Sequence, residues 1–422
     1  MSDGKRFADF LTQSTTPYQF VTYARPLLVE QGYVEIIEGN FPSELPNRAF
    51  WVRDGKALIA FDIGGIESSV IVAAHNDSPL IKLKKKDNIV NKNVSLAVNG
   101  SYAGGLSYTW YGRDLKVAGA LFVKEKNDIV MKVVETKKPI ATIPFPSTSV
   151  YQNSNRGLIF STNRDTNLTP IIGMLPNTKT VIDYICSEYN IDPLSVVSFD
   201  LSFVDSRPAT VNGDLICSGR LDDLSSSYAC LHGFLESKSI NTINILAIFD
   251  SEEIGSKTRT GALGNCIDIT YEYICKCKGI DYLALKANTL FLSCDSAHCQ
   301  HPNYEGESKS QLPIGTGVAL KTTAKSSYAS DDKGLILVTE AAKRANVPYI
   351  ITRPKNGPSG GGTIGPKVEK LLGVATLDIG PGNYAMHSCR ELMSWKDAEA
   401  ELKLISYLLN NFEELRKYAC CE

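Results

Sequence analysis

Histidine is rare in this chain, five in 422 residues, so a histidine at a structurally marked place is informative. No apolar stretch approaches the roughly 20 residues that cross a bilayer. The opening Met1-Ser2-Asp3-Gly4-Lys5-Arg6 leads into mixed polarity instead of the apolar core of a secretion signal. Both absences predict a cytoplasmic protein with no membrane partner. An excess of charge of one sign is missing too. The 44 Lys and Arg against 46 Asp and Glu leave a net charge of -2, which offers no basic footprint for nucleic acid. The eleven cysteines are odd in number and include no C-x-x-C pair. With no secretion signal, that argues against a disulfide framework. Cys275 with Cys277, and Cys420 with Cys421, lack the spacing of a zinc knuckle, so the thiols read as buried or incidental.

What is present is length and a recurring pattern. The chain is long for one domain and predicts two, or one carrying a large insertion. Its organising stretch is Ile248-Phe249-Asp250-Ser251-Glu252-Glu253-Ile254-Gly255, where an apolar run from Ile243 stops in acid. Such a run reads as a buried strand delivering its last residues to a cleft. Two adjacent carboxylates there repel unless a cation or a shared proton offsets the cost; the plain alternative is a solvated turn. The pattern recurs. Ser68 to Ala74 is a strand of the buried kind, ending in His75-Asn76-Asp77-Ser78-Pro79. Residues two apart on extended chain face the same way, so Asp77 can fix the His75 tautomer, although alone this His-x-Asp is equally a turn before Pro79. Thr289 to Cys294 ends in Asp295, with His298 and His301 beyond it; Pro302 argues against a helix there and leaves His301 structural. Val374 to Ile379 runs on toward His387. Asp222 and Asp223 precede the helical spacing Leu224 to Leu235, where capping accounts for one of the two acids.

Around these strands lie helices at 5–32, broken at Pro17, and at the C-terminus, where Ser394-Trp395-Lys396-Asp397 reads as a capping box and Leu402, Ile405, Leu409 and Phe412 form a core-facing stripe. Two strands flank the turn Asp54-Gly55. From 88 to 215 the character changes to short alternating runs and frequent turn signals, with helical spacing only at Thr178 to Glu188, which predicts an all-β insert. Ala103-Gly104-Gly105-Leu106 within it marks a close backbone approach or a turn. The loop Pro358 to Pro366 is glycine-rich but has neither P-loop nor dinucleotide spacing; backbone amides of Gly361, Gly362 and Thr363 beside a substrate, a lid, or a turn are equal readings. The fold class is thus α/β, a mixed-sheet domain from 1–87 and 216–422 interrupted by a β-rich insert at 88–215.

The strand-end residues are His75, Asp222, Glu252, Glu253, Asp295 and His387. Nitrogen and oxygen donors without cysteine suit catalytic zinc, with manganese or cobalt as rivals. Two imidazoles and three carboxylates hold two ions if one carboxylate bridges, and one carboxylate is left to move protons. This is the equipment of a hydrolase, most naturally of an amide bond.

The blocks A-A-H-N-D-S-P, G-R-L-D-D-L, D-S-E-E-I-G, D-S-A-H-C-Q-H-P-N-Y, G-T-I-G-P and M-H-S-C-R-E, in this order over nearly the whole chain, resemble the aspartyl aminopeptidases, a family of dinuclear zinc exopeptidases. The run Gly104 to Leu115 also resembles that family's β insert. The resemblance implies an α/β/α metallopeptidase domain with an inserted dimerisation domain. His75 and Glu253 would each bind one of two Zn2+ ions, with Asp295 and His387, while Asp222 bridges. Asp77 would orient His75, and Glu252 would be the general base. His298, Lys321 and Tyr328 fall where the family surrounds an acidic substrate side chain. The partners implied are short peptides and further copies of the chain, as dimers assembled into a twelve-subunit shell. Three departures stand out: Asp223 replaces a usual Asn; no histidine follows Ile143-Pro144, where Tyr151 takes the place of an insert histidine; and the glycine loop reads Gly361-Gly362-Thr363 where a serine is common. All three bear on efficiency and side-chain preference. Competing readings are a dinuclear aminopeptidase with non-acidic preference and a non-catalytic shell or cargo relative.

Overall fold

The computed structural model describes residues 3–85, 88–146, 164–176, 178–304, 310–323, 327–352 and 361–418. Tyr151 and the Pro358 to Gly360 part of the glycine loop lie outside them. Two compact units emerge: Met1–Asp77 with Ala209–Met386 and Glu391–Glu422, and Ser78–Pro208 with His387–Arg390.

Among the described residues, the first unit is built on a 13-stranded mixed sheet. Its central strands, in spatial order, are Ala57–Ile63, Ile243–Phe249, Ser69–His75, Thr289–Cys294 and Ala375–Tyr384. These are the continuous apolar runs of the sequence, and their composition follows from burial on both faces. Successive side chains point to opposite sides. Val70, Val72, Leu246, Ile248, Leu290 and Leu292 enter one core, with helices Leu221–Glu236, Asp332–Arg344 and Trp395–Tyr418. Ile71, Ala73, Ile245, Ala247 and Phe291 enter another, with Cys266–Lys278 and Gly365–Leu372. The result is the expected α/β/α sandwich.

The strands Ile243–Phe249, Ser69–His75, Thr289–Cys294 and Ala375–Tyr384 pair parallel, with Phe249 opposite His75 and Cys294 opposite Ile379. Parallel pairing brings every carboxyl end to the same edge, and the charged strand ends meet there.

Smaller expectations fare variously. Pro17 opens the helix Pro17–Glu30 with Thr16 as its N-cap, and strands Arg48–Arg53 and Ala57–Ile63 flank the Asp54-Gly55 turn. Leu402, Ile405, Leu409 and Phe412 are buried on the last helix. The capping box is not formed: the Asp397 carboxylate instead accepts from the amides of Gly315 and Gly317, both at 2.8 Å, because a loop with unpaired donors lies within its reach. The strand placed at Val374 to Ile379 continues to Tyr384. Gly380 and Pro381 are paired opposite Ala319 and Val318, so neither residue ends it.

Among the described residues, the second unit is a nine-stranded sheet whose pairings are antiparallel, dominated by Asp114–Glu125 with Asp128–Glu135 and Val196–Asp205. Its core gathers Val117, Leu121, Leu201 and Phe203 under the helix Val181–Tyr189, which carries a full capping box between Thr180 and Asp183. Gly105 does mark a close approach, since a Cβ there would lie 2.8 Å from Pro79 Cβ. His387, with φ +66°, returns to this unit, and its carbonyl accepts from the Leu106 amide at 2.8 Å.

Candidate metal centre

Three strand ends of the first unit supply the donors. Ser69–His75 presents His75 as its last residue, 1% exposed. The ring Nδ1 lies 3.0 Å from the Asp77 carbonyl and 3.4 Å from its carboxylate, which assigns the proton to Nδ1 and leaves Nε2 as an electron-pair donor. Asp77 has a second duty. Its two oxygens accept the amides of Glu252 at 2.9 Å and Glu253 at 3.2 Å. Ser251 stands at φ +66° and Gly255 at φ +96°, so the chain turns sharply and its free amides converge on one anion. One buried carboxylate therefore orients the imidazole and sets the direction in which the paired glutamates leave the sheet.

Asp222 and Asp223 open the helix Leu221–Glu236 in non-helical backbone. Capping does not describe Asp223, whose carboxylate accepts the His75 amide at 3.3 Å. The Asp222 amide donates to Glu391 at 2.9 Å, and Asp222 Oδ1 lies 3.6 Å from His75 Nε2. Asp295 follows Thr289–Cys294, its amide held by the Ile379 carbonyl at 2.9 Å. Among the described residues, His75, Asp223 and Asp295 offer ligand atoms within 4.8 Å of one another, and so do Asp222 and Glu253.

These groups are dry and crowded. Burial opposes charge on His75, but the Asp77 hydrogen bond and the fields of Asp223, Asp77 and Asp295 outweigh it and hold the imidazole well above its ordinary range. Burial pushes the Asp295 carboxyl up to about 7, with Lys321 pulling against it and Asp222 adding to it. Asp223 is likewise raised by burial, opposed by His75 and reinforced by Asp295. All three shifts report surplus negative charge in a low-dielectric interior. A cation relieves that surplus, and the donor set is hard nitrogen and oxygen, suited to zinc. Asp223 Oδ1, buried and without a hydrogen-bond partner among the described residues, fits the same demand.

Of the other expected residues, Lys321 is 2% exposed. Its Nζ donates to the Ser296 carbonyl at 2.9 Å, lies 3.9 Å from Asp295 and sits 5.2 Å above the Tyr328 ring. Burial works against its charge, but Asp295 and the neighbouring Tyr328 and Asp378 more than compensate. His298 is exposed on a two-residue strand and joins neither donor group. Gly361 and Gly362 are exposed and Thr363 is buried. His301 accepts the Asn303 amide and packs on Tyr304 and Tyr384.

Four residues escaped the sequence reading as members of the site: Asp223, taken for a cap or a departure; Glu391, which holds the Asp222 amide; Asp378, buried and accepting from Ser293 and the Ala329 amide; and Lys367, 2.7 Å from Glu252. Glu391 was visible in the M-H-S-C-R-E block. Nothing local marked Lys367 or Asp378, because their partners are distant in the chain.

A sandwich whose parallel strand tips converge histidine and carboxylate donors, with further carboxylates to spare, is the architecture of a metal-dependent hydrolase. The model of the aminopeptidase I zinc metalloprotease family (M18) matches residues 10–408, and the chain belongs to this family. It is therefore a zinc-metalloprotease-type aminopeptidase. A probable M18 family aminopeptidase 2 of Clostridium acetobutylicum is 31% identical over 97% of each chain. Aspartyl aminopeptidase 4 of Saccharomyces cerevisiae is 29% identical, over 97% of this chain and 95% of that one. A chain in the solved complex of Ape4 and Nbr1 superposes with a TM-score of 0.93 at 28% identity, covering 100% of this chain and 87% of the other. No helix among the described residues is long and apolar enough to cross a membrane.

Proposed function

We propose that the chain is a dinuclear zinc aminopeptidase that releases N-terminal acidic residues from short peptides. The observation that carries this is the pair of donor groups at one sheet edge, with Glu252 beside them and unused by either. His75 and Asp295, with Asp223 alongside, would hold one ion; the family resemblance assigns Glu253 and His387 to the other. Asp222 reaches toward His75 while grouped with Glu253, which supports its bridging role. When bound, the ions supply Lewis acidity that makes water a nucleophile at neutral pH and stabilises developing negative charge.

The chain's own residues do the rest. Asp77 fixes the His75 tautomer and aims the Glu252-Glu253 turn. Glu252 takes the proton from the attacking water and returns it to the leaving amine. The Lys321 ammonium, kept charged by its surroundings, with Tyr328 and His298, recognises the substrate's acidic side chain. Backbone at Gly361, Gly362 and Thr363 steadies the peptide. The aspartyl aminopeptidase names of the relatives support the acidic preference. The second unit joins copies of the chain into dimers and a twelve-subunit shell in the cytoplasm, which limits substrates to short peptides.

The test is steady-state kinetics on a panel of aminoacyl amides, with and without a chelator. Turnover of Asp and Glu amides, lost on chelation and restored by zinc, is expected. Equal turnover of neutral amides would overturn the acidic preference alone. Glu252→Gln should keep its metal and lose about 10²–10⁴-fold in rate, the usual contribution of a general base; full activity would remove Glu252 from that role.

A further inference from the structure

The helix Gly365–Leu372 brings Lys367 to Glu252, 115 residues away in sequence. The ammonium donates to Glu252 Oε1 at 2.7 Å and to Ser256 Oγ at 3.1 Å. Both ends of this link are rigid. Ser256 is fully buried, its amide bonded to the Ser251 carbonyl at 2.8 Å and its own carbonyl holding the Leu263 amide at 3.1 Å. The start of the lysine's helix is wedged against the sheet: a Cβ on Gly365 would lie 2.4 Å from Asp378 Oδ2. The Glu252 side chain is 10% exposed, that of Lys367 25%.

A glutamate has three freely rotating side-chain bonds, and this one leaves a turn among Asp77, Asp222 and Glu253. Like charge on several sides gives such a carboxylate no preferred direction. A cation tethered at a fixed point does. We propose that Lys367 is the positioning residue for Glu252. It binds Oε1 through a hydrogen bond braced by Ser256, so the side chain keeps one rotamer and Oε2 is the oxygen presented to the reacting water. This role rests on the assignment of Glu252 as base. A charge-assisted bond of this kind is short and directional, and a base displaced by about an ångström costs on the order of a hundredfold in rate.

The test compares Lys367→Met, Lys367→Arg, Ser256→Ala, Glu252→Gln and the Lys367→Met/Glu252→Gln double variant, each loaded with zinc, on a glutamyl amide. Bound zinc is measured in parallel. Lys367→Met should lose about ten- to a hundredfold in kcat, with KM and zinc content unchanged. Lys367→Arg should recover most of the loss, because its guanidinium also donates to the carboxylate. The double variant should be no slower than Glu252→Gln alone, since a base that is absent needs no positioning. Full kcat in Lys367→Met, a loss carried by KM, or a loss that multiplies in the double variant would each overturn the role. If Lys367→Met does not fold, Ser256→Ala decides: a severalfold loss of kcat at constant KM supports the brace, and wild-type kcat overturns it. An active Glu252→Gln overturns the base and this role together. An inactive one beside a fully active Lys367→Met overturns only the lysine.

Discussion

Asp77 and His232 are both buried, and their neighbours give them opposite roles. Asp77 is a convergence point: two amides and an imidazole meet on its carboxylate. His232 sits inside the helix Leu221–Glu236, with Arg6 2.8 Å from Nδ1 and Tyr23 3.1 Å from Nε2. Burial first, and the Arg6 charge second, lower its pKa to about 3. Arg6 donates to Nδ1, so the ring is neutral and works as an acceptor. The unfolded chain takes up this proton near pH 6.5, whereas the folded chain resists it down to about 3. The contribution to stability is therefore complete above pH 6.5 and lost as pH falls through that window, at about 1.4 kcal/mol per pH unit. Denaturant melts from pH 7 to pH 5 should show a steeper loss in the wild type than in His232→Gln, by about 2 kcal/mol over the range. Parallel curves would mean that His232 is not the titrating group.

At the scale of elements, one edge of four parallel strands does what no single strand signals. Ser69–His75 and Thr289–Cys294 are adjacent, and the strand after Thr289–Cys294 is Ala375–Tyr384. Asp295 is placed by that last neighbour: its amide bonds Ile379, and Gly380 leaves room for its carbonyl, because a Cβ there would lie 1.8 Å from Asp295 O. The glycine in Ile379-Gly380-Pro381 is thus a spacing device inside a strand. Gly380→Ala should cost about 1–3 kcal/mol by overpacking and push Asp295 outward, weakening zinc uptake. Thermal melts and zinc titration of the same sample check both effects. A stable variant with unchanged zinc affinity would show that the strand shifts without disturbing Asp295.

At the scale of the whole molecule, the β unit carries an unusual edge. The strand Asp128–Glu135 pairs only with Asp114–Glu125 among the described residues, and Ile129, Val130 and Met131 are exposed along it. Exposed apolar residues along a strand at the edge of a sheet form a template for another chain. The proposed homo-oligomer therefore predicts that light scattering finds a multi-subunit particle for the wild type. Ile129→Lys should give a smaller species with the same zinc content per chain. A monomeric wild type, or an Ile129→Lys of full size, would move the assembly surface elsewhere.

Much of this was legible in the order of residues alone. Apolar runs ending in charge identified the sheet, and rare histidines near two such ends suggested candidate donors, because burial on both faces demands continuous apolar sequence and ligands must interrupt it. The change in texture from residue 88 predicted a β-rich segment. The site's final membership was not legible. Asp223 reads as a helix cap until the backbone at 222–223 is seen to depart from the helix and turn its carboxylate to His75. Lys367 reads as a surface lysine until its helix docks beside the Glu252 turn. Periodicity reports which face of an element is dry; which distant charge comes to lie within three ångströms of another is decided only when the elements pack.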